Sequence, residues 1–193
     1  MGIEFELKFR ADETARQKIR EAFPGPWQEI RMNTRYYDTE ALALSAKHWT
    51  LRRRTENGRS VCTVKTPASG GARGEWETEC NDIAEALPEL CRLGAPEDLK
   101  QLAGENLHEI CGAEFTRLAL TVPFEDCTVE IALDGGKLTG GGREEKLSEA
   151  ETELKSGSRE AAVRFGTAFA ERFGLVPEPK SKFRRALALA KGE

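Results

Sequence analysis

Residues 3–10, IEFELKFR, decide the fold of this chain. In a β-strand, successive side chains point to opposite faces of the sheet. One face of this strand would therefore carry only apolar side chains, and the other the charged side chains of Glu4, Glu6, Lys8 and Arg10. The apolar face can pack against a core, whereas the charged face is either exposed to solvent or forms a binding surface.

The later predicted strands repeat this two-faced pattern. We predict strands over residues 33–39, 49–55, 60–66, 73–81, 115–122, 128–134 and 147–155, with a hairpin turn at Asn57-Gly58. Alternate positions place charged side chains on one face of most of them: Arg52, Arg54, Lys65, Arg73, Glu75, Glu77, Glu79, Arg117, Glu130, Asp134, Glu149, Glu151, Glu153 and Lys155. One such row is typical of a solvated sheet face. Repeated rows of mixed sign predict an α+β protein whose antiparallel β-barrel has a charged lumen, with helices packed outside.

The remaining segments are predicted to be helices and loops. Residues 12–23 and 158–173 carry apolar residues at helical spacing, with Asp12 or Thr14 as the candidate N-cap of the first and Ser158 as that of the second. Residues 82–111 are predicted to be helical with a break near Gly94. We expect loops at residues 67–72 and 137–143, and a short tail at residues 180–191 that is basic at its start.

Composition and charge restrict the class of protein. A length of 193 residues, 39% of them hydrophobic, fits one domain over residues 1–193. A net charge of -4 disfavours general binding to nucleic acid or to anionic membranes. The five cysteines lack metal-site spacing, which predicts reduced thiols. With no apparent signal peptide or long apolar run, we expect a cytoplasmic monomer or homodimer without a membrane partner.

The charged rows indicate a particular chemistry. Clustered carboxylates without histidine or cysteine suit hard divalent cations such as Mg²⁺ or Mn²⁺. Lysine and arginine side chains suit phosphate oxygens, and arginine can bind them in a bidentate manner. Together they predict a site for a polyphosphate that binds with a metal ion.

Several motifs occur in a characteristic order: Glu4-x-Glu6-x-Lys8, Tyr36-Tyr37-Asp38-Thr39, Arg52-x-Arg54, Lys65, Arg73-x-Glu75, Arg117, Glu130-Ile131-Ala132-Leu133-Asp134, Glu149-x-Glu151-x-Glu153 and Ser181-Lys182. Over essentially the whole chain, this set resembles the CYTH superfamily, the triphosphate tunnel metalloenzymes. The resemblance implies an antiparallel eight-stranded β-tunnel, a small-molecule triphosphate as substrate, and Mg²⁺ or Mn²⁺ as cofactor.

The resemblance also implies roles for individual residues. The implied metal ligands are Glu4, Glu6, Glu130, Glu149, Glu151 and Glu153. The implied phosphate contacts are Lys8, Arg52, Arg54, Lys65, Arg73, Arg117, Lys182 and Arg185. Glu4, Glu6, Lys8 and Glu153 are the implied catalytic residues, with one metal orienting the triphosphate and a second delivering water to the terminal phosphorus.

Within this superfamily, residues 130–135 and 149–157 are most similar to bacterial inorganic triphosphatases, which implies hydrolysis of tripolyphosphate to pyrophosphate and phosphate. A thiamine triphosphatase, a class IV adenylate cyclase and a non-catalytic polyphosphate or nucleotide binder are the alternatives. Trp49 is relevant to the thiamine triphosphatase alternative, because an aromatic side chain near the basic pair Arg52 and Arg54 can hold a thiamine cation. However, Trp49 is an odd number of positions from Arg52, so in a regular strand it faces away from the lumen unless a β-bulge intervenes.

Overall fold

A computed structural model describes residues 5–67, 73–104 and 106–193. Its elements, in chain order, are β1 (Glu6–Arg10), α1 (Glu13–Ala22), β2 (Gln28–Asp38), α2 (Ala43–Ala46), β3 (Thr50–Glu56), β4 (Arg59–Pro67), β5 (Arg73–Glu79), α3 (Ile83–Arg92), α4 (Leu99–Ala103), β6 (His108–Phe124), β7 (Cys127–Gly140), β8 (Arg143–Gly157), α5 (Arg159–Phe173), β9 (Val176–Pro177) and α6 (Lys182–Lys191).

The strands form one antiparallel sheet in the order β5-β4-β3-β2-β6-β7-β8-β1-β9. This confirms the predicted α+β class and antiparallel sheet. The sheet has nine strands rather than eight, because the two residues of β9 pair with the outer edge of β1. Within the described ranges, β5 and β9 do not pair with each other, so closure of the sheet into a tunnel stays a prediction.

One face of the sheet is apolar, and helices cover it, as predicted. Helices α1 and α5 pack over β1, β7 and β8, where Ile19, Ile131 and Phe165 belong to one buried cluster. Helices α2, α3 and α4 cover β3 and β4 around a second cluster that includes Leu51 and Leu90. Of the two candidate caps of α1, Asp12 is the one in place, since its Oδ1 accepts a hydrogen bond from the Ala15 amide. Ser158 caps α5 as predicted, because its Oγ accepts from the Ala161 amide.

Helix α6 lies on the opposite, charged face, which corrects two expectations. The predicted tail is a helix that begins after the N-cap Ser181, and it packs on the charged face of β6, β7 and β8 rather than on the apolar face with the other helices. Its apolar residues, including Ala186, join Tyr36, Leu138 and Leu147 in a third buried cluster. At this end the charged face itself carries apolar side chains, and they require cover from water.

Two boundaries also differ from the sequence prediction. The predicted helical stretch 82–111 ends too late, because β6 begins at His108 and pairs with both β2 and β7. The predicted loop 137–143 is mostly strand, since β7 continues to Gly140 and only Gly141 and Gly142, both with positive φ, make the turn. Residues 68–72 of the predicted loop 67–72 lie outside the described residues, and Pro67 ends β4.

Within residues 5–67, 73–104 and 106–193, every helix is too short or too polar to cross a lipid bilayer.

Candidate active site

Three carboxylates form a row across neighbouring strands on the charged face. Glu153 of β8 lies directly opposite Glu6 of β1 on one side and Glu130 of β7 on the other. Side chains directly opposite each other across antiparallel strands have Cβ atoms roughly 4.5–5.5 Å apart. Lysines border the row, because Lys8 Nζ lies 3.8 Å from Glu6 Oε1 and Lys155 Nζ lies 3.0 Å from Glu153 Oε1. We call Glu6, Glu130 and Glu153 the acidic row.

A second group of carboxylates lies further along the same face, toward helix α6. The carboxylate oxygens of Asp134, Glu149 and Glu151 come within 4.8 Å of one another, and all three side chains are buried. Three oxygens this close have a spacing that could hold a metal ion. In this structure, however, the group is filled by cations of the protein itself.

Those cations come from β6 and from α6. Arg117 donates two hydrogen bonds of 2.8 Å to Asp134 and one of 2.5 Å to Glu151. Lys182 Nζ lies 2.8 Å from both Asp134 Oδ2 and Glu151 Oε1 and also contacts Glu149. Arg185, one turn further along α6, pairs with the other oxygen of Glu149. Three carboxylates and three cations therefore form a neutral cluster, which we call the ion-pair cluster.

Electrostatics within the ion-pair cluster fix its charges. Burial works to raise the pKa of Glu151, but Lys182 and Arg117 lower that pKa well below its usual range. Burial would likewise lower the pKa of Lys182, yet Asp134, Glu151 and Glu149 raise it well above its ordinary value. For Glu149, burial prevails, and its pKa is raised despite Lys182. The cluster thus holds Lys182 in its charged form.

A basic group lies on β3 and β4. Arg52 and Arg54 are largely buried, and Arg52 shares the Glu75 carboxylate with Lys65, at 3.5 and 3.2 Å. The charge of Arg52, together with burial, lowers the pKa of Arg54 to about 10. Within the described part of the chain, the buried Nε atoms of both arginines have no hydrogen-bond partner. Crowded cations with unsatisfied donors are suited to a bound polyanion.

The structure brings most of the predicted site residues onto one face. Lys8, which lies opposite Glu151, is nine-tenths buried between the acidic row and the ion-pair cluster. Glu4 and the side chain of Arg73 lie outside the described residues, so their predicted roles stay predictions. Glu149, Glu151 and Arg185 are present, but here they pair with protein groups rather than stand open to a ligand. Their predicted roles as metal ligands and phosphate contact are likewise untested.

Sequence reasoning missed three participants. Asp134 was recognised as a charged residue of β7 but not as the partner of Arg117 and Lys182. Phe115 lies under the same two cations, with its ring centroid 5.2 Å from Lys182 Nζ and 6.0 Å from Arg117 Cζ. Phe115 lies two positions before Arg117 on β6 and therefore on the same face, and this spacing was the sequence feature that could have identified it. Glu75, which the sequence places only among the charged residues of its strand, contacts both Arg52 and Lys65.

Trp49 faces away from this site. It is buried on the apolar face with Leu51 and Val64, as its odd spacing from Arg52 predicts. Lys47 Nζ lies 5.4 Å from the centroid of the Trp49 ring. His48 is exposed and has a positive φ of 60°, outside the strand that carries Arg52. Neither residue contributes a group to the charged face.

Residues 2–187 match the sequence model of the CYTH domain. Over 133 residues, 68% of this chain, the sequence is 30% identical to the inorganic triphosphatase of Haemophilus influenzae. The matched region spans 38% of that relative's length, so the relative is much the longer protein.

Solved structures share the fold. The PH1819 protein of Pyrococcus horikoshii OT3 has a TM-score of 0.64 at 24% identity, covering 97% of this chain and 99% of that one. A Hippeastrum protein, described as an adenylyl cyclase with a dominant triphosphatase activity, has a TM-score of 0.63 at 17% identity over 100% and 97% of the two chains. A Bacillus halodurans protein whose name refers to an adenylate cyclase has a TM-score of 0.62 at 18% identity, covering 95% of this chain and 96% of that one.

Proposed function

Because this chain belongs to the CYTH family, we propose that it is a metal-dependent triphosphatase whose substrate is inorganic tripolyphosphate. Hydrolysis joins the oxygen of a water molecule to the terminal phosphorus while the bridging P–O bond breaks. Pyrophosphate and phosphate are the products, and a proton is released at neutral pH. The match to an inorganic triphosphatase supports the proposal, although this chain spans only part of that relative.

One observation carries the proposal: the same sheet face holds an acidic row and a separate set of buried cations. Glu6, Glu130 and Glu153 are adjacent across three strands, while Arg52 and Arg54 lie two strands beyond β6 with unsatisfied buried donors. A binder of phosphate alone has no use for opposed carboxylates, because their mutual repulsion is costly without a cation. A triphosphate with a divalent cation satisfies both groups at once.

The donor set fits a hard divalent cation. The acidic row offers only carboxylate oxygens, which suit Mg²⁺ or Mn²⁺. Glu6, Glu130 and Glu153 would hold the ion, with Glu4 as a further predicted ligand. When bound, such an ion screens phosphate charge and lowers the pKa of a bound water, so that hydroxide becomes available near neutral pH.

The residues of this chain would bind and orient the substrate. Arg52 and Arg54 would direct their free Nε donors at phosphate oxygens, and Lys65 would be kept in register with them by Glu75. Lys8, largely buried beside Glu6, would place an ammonium where the phosphate chain approaches the acidic row. Such fixed charges stabilise the negative charge of the transferring phosphoryl group without having to reorganise during the reaction.

Tripolyphosphate is favoured over thiamine triphosphate by the position of Trp49. The aromatic ring that could hold a thiazolium lies in the core of the apolar face, on the other side of β3 from Arg52. The adenylate cyclase names among the structural neighbours belong to chains under 25% identical, and that likeness supports the fold alone.

The test is phosphate release from tripolyphosphate with Mg²⁺, with Mn²⁺ and with a chelator. We expect release only with metal, and a loss of about 100-fold or more in Glu6→Gln, since the acidic row would then bind the cation poorly. Glu145→Gln is the matched control, because Glu145 is exposed near the far end of β8 and should release phosphate like the wild type. Metal-independent release, or none at all, would contradict the proposal.

A further inference from the structure

Helix α6 holds Lys182 against the charged face, and a contact of Lys182 with the triphosphate there rests on the proposed function. Lys182 is the first residue of α6 and reaches three carboxylates of β7 and β8. A lysine side chain has several rotatable bonds, so a fixed ammonium position requires that the backbone of the helix itself be fixed.

Arg185 and Glu149 supply that attachment. Residues three apart lie on the same face of a helix, so Arg185 follows Lys182 along the surface that meets the sheet. Its guanidinium pairs with one oxygen of Glu149, while Lys182 contacts the other oxygen. The Glu149 side chain is fully buried and Arg185 is 11% exposed. Both oxygens of Glu149 therefore lie against cations of α6.

Two further contacts fix the rest of the helix. The backbone of α6 lies directly on Gly140 of β7, where an added Cβ would be 2.5 Å from the carbonyl oxygen of Ala186. At the far end, Arg143 Nη1 donates a 3.0 Å hydrogen bond to the carbonyl oxygen of Leu189. Phe183, next to Lys182, packs against Tyr36 with ring centroids 5.0 Å apart, and the Arg185–Glu149 pair is the ionic attachment that follows it along the helix.

We infer that Arg185 and Glu149 are positioning residues whose ion pair fixes the start of α6, so that Lys182 is held where it meets the triphosphate. This differs from the roles that the family resemblance implies, in which Arg185 binds phosphate and Glu149 binds metal. Breaking a buried ion pair leaves an uncompensated charge and frees the segments that it joined. Loss of the Arg185–Glu149 pair would therefore weaken substrate binding only by displacing Lys182.

A double-mutant cycle tests this pathway. We expect Arg185→Gln to raise the KM for tripolyphosphate by about tenfold, as lost substrate binding through one mispositioned cation predicts. The metal concentration for half-maximal activity should stay unchanged. In a Lys182→Ala background, Arg185→Gln should have no further effect on KM. Arg185→Lys, which keeps the charge, should restore most of the loss. Arg185→Met, which removes the charge but keeps a long unbranched side chain, carries the same test if Arg185→Gln fails to fold.

Arg184→Gln is the matched control, because Arg184 is the preceding residue on the same helix but is exposed. Its KM should equal that of the wild type. Additive effects of the Lys182 and Arg185 changes would overturn the inference, since they would mean that Arg185 contacts the substrate itself. An unchanged KM in Arg185→Gln would overturn it as well.

Hydrogen exchange separates this inference from the proposed function. Without substrate, amides of α6 should exchange faster in Arg185→Gln than in Arg184→Gln. Equal exchange would overturn the positioning role even in an active enzyme. A wild-type protein that does not hydrolyse tripolyphosphate would overturn the proposed function, while the exchange comparison would still decide whether the pair anchors the helix.

Discussion

Glu6 of β1 and Glu153 of β8 are directly opposed across an antiparallel pair, although like charges in that position destabilise a sheet. Glu130 adds a third carboxylate on the other side of Glu153. Lys8 and Lys155 offset part of the repulsion. A sheet that retains three adjacent carboxylates in one row is arranged for a cation, and this arrangement leads to the first prediction.

Glu153→Gln should stabilise the metal-free protein and weaken its response to metal. Removing the central carboxylate relieves repulsion worth up to about 1 kcal/mol, so the melting temperature without metal should rise. The increase in melting temperature on adding Mg²⁺ or Mn²⁺ should shrink, because a ligand that binds only the folded state stabilises it less at a given concentration when its affinity is lower. Thermal melts with and without metal measure both effects.

Glu145→Gln is again the control, since it removes the same charge from an exposed position of the same strand. It should leave the metal-induced shift in melting temperature intact. A Glu153→Gln protein that responds to metal as the wild type does would show that the cation binds elsewhere, with the ion-pair cluster as the next place to look.

Arg54→Gln should weaken substrate binding, whereas Arg53→Gln should not. Arg54 lies on the charged face with its Nε unsatisfied, and Arg53 lies on the opposite face, where its Nη1 donates to the Asn81 carbonyl. Losing a charge-assisted hydrogen bond to phosphate costs about 1.5–3 kcal/mol, which corresponds to a rise of roughly 10- to 100-fold in the KM for tripolyphosphate. Steady-state kinetics of the two variants give the two KM values, and equal KM values would show that Arg54 is not part of the site.

Trp49→Phe should lower stability without changing substrate choice. The Trp49 ring is buried with Leu51 in the core of the apolar face, so a smaller ring leaves a gap there. The melting temperature should fall, while the ratio of kcat/KM for tripolyphosphate and thiamine triphosphate should stay the same. A selective loss of thiamine triphosphate hydrolysis would instead place Trp49 at the substrate.

The buried thiols predict a loss of stability in alkali. Burial raises the pKa of Cys62 and of Cys111 from 9.0 to about 12. Between those values the unfolded thiols ionise and the folded ones do not, so the folded state holds more protons and the free energy of unfolding falls as pH rises. Urea titrations at pH 8 and pH 10 measure this fall in the free energy of unfolding, in the wild type and in the double variant that carries both Cys62→Ala and Cys111→Ala. An identical pH dependence in the two proteins would contradict it.

Alternation along the strands was sufficient to predict the two faces of the sheet. Because the side-chain period in a strand is two, positions such as Arg52, Arg54 and Trp49 were assigned to the correct faces without any knowledge of the strand order. The antiparallel class and the caps of α1 and α5 likewise followed from local chemistry.

Which charges meet which could not be predicted in this way. Pairing of Lys182 with Asp134 and Glu149 depends on where α6 packs on the sheet. Because residues 180–191 begin with basic side chains, this segment resembles a solvent-exposed tail in the sequence. Ser181 as a cap and the apolar positions Phe183, Ala186 and Leu187 were the local signals for a helix. They could not show that it packs on the charged face, since that depends on the shape and charge of several strands together.

We propose that the charged face hydrolyses inorganic tripolyphosphate. The most direct test compares kcat/KM for tripolyphosphate, thiamine triphosphate and ATP at saturating metal, with the products identified by phosphorus NMR. We expect tripolyphosphate to be preferred by about tenfold or more, with pyrophosphate and phosphate formed in equal amounts, since the Trp49 ring that could hold a thiazolium is buried on the apolar face. Preference for either organic triphosphate, cyclic AMP from ATP, or binding without turnover would contradict the claim.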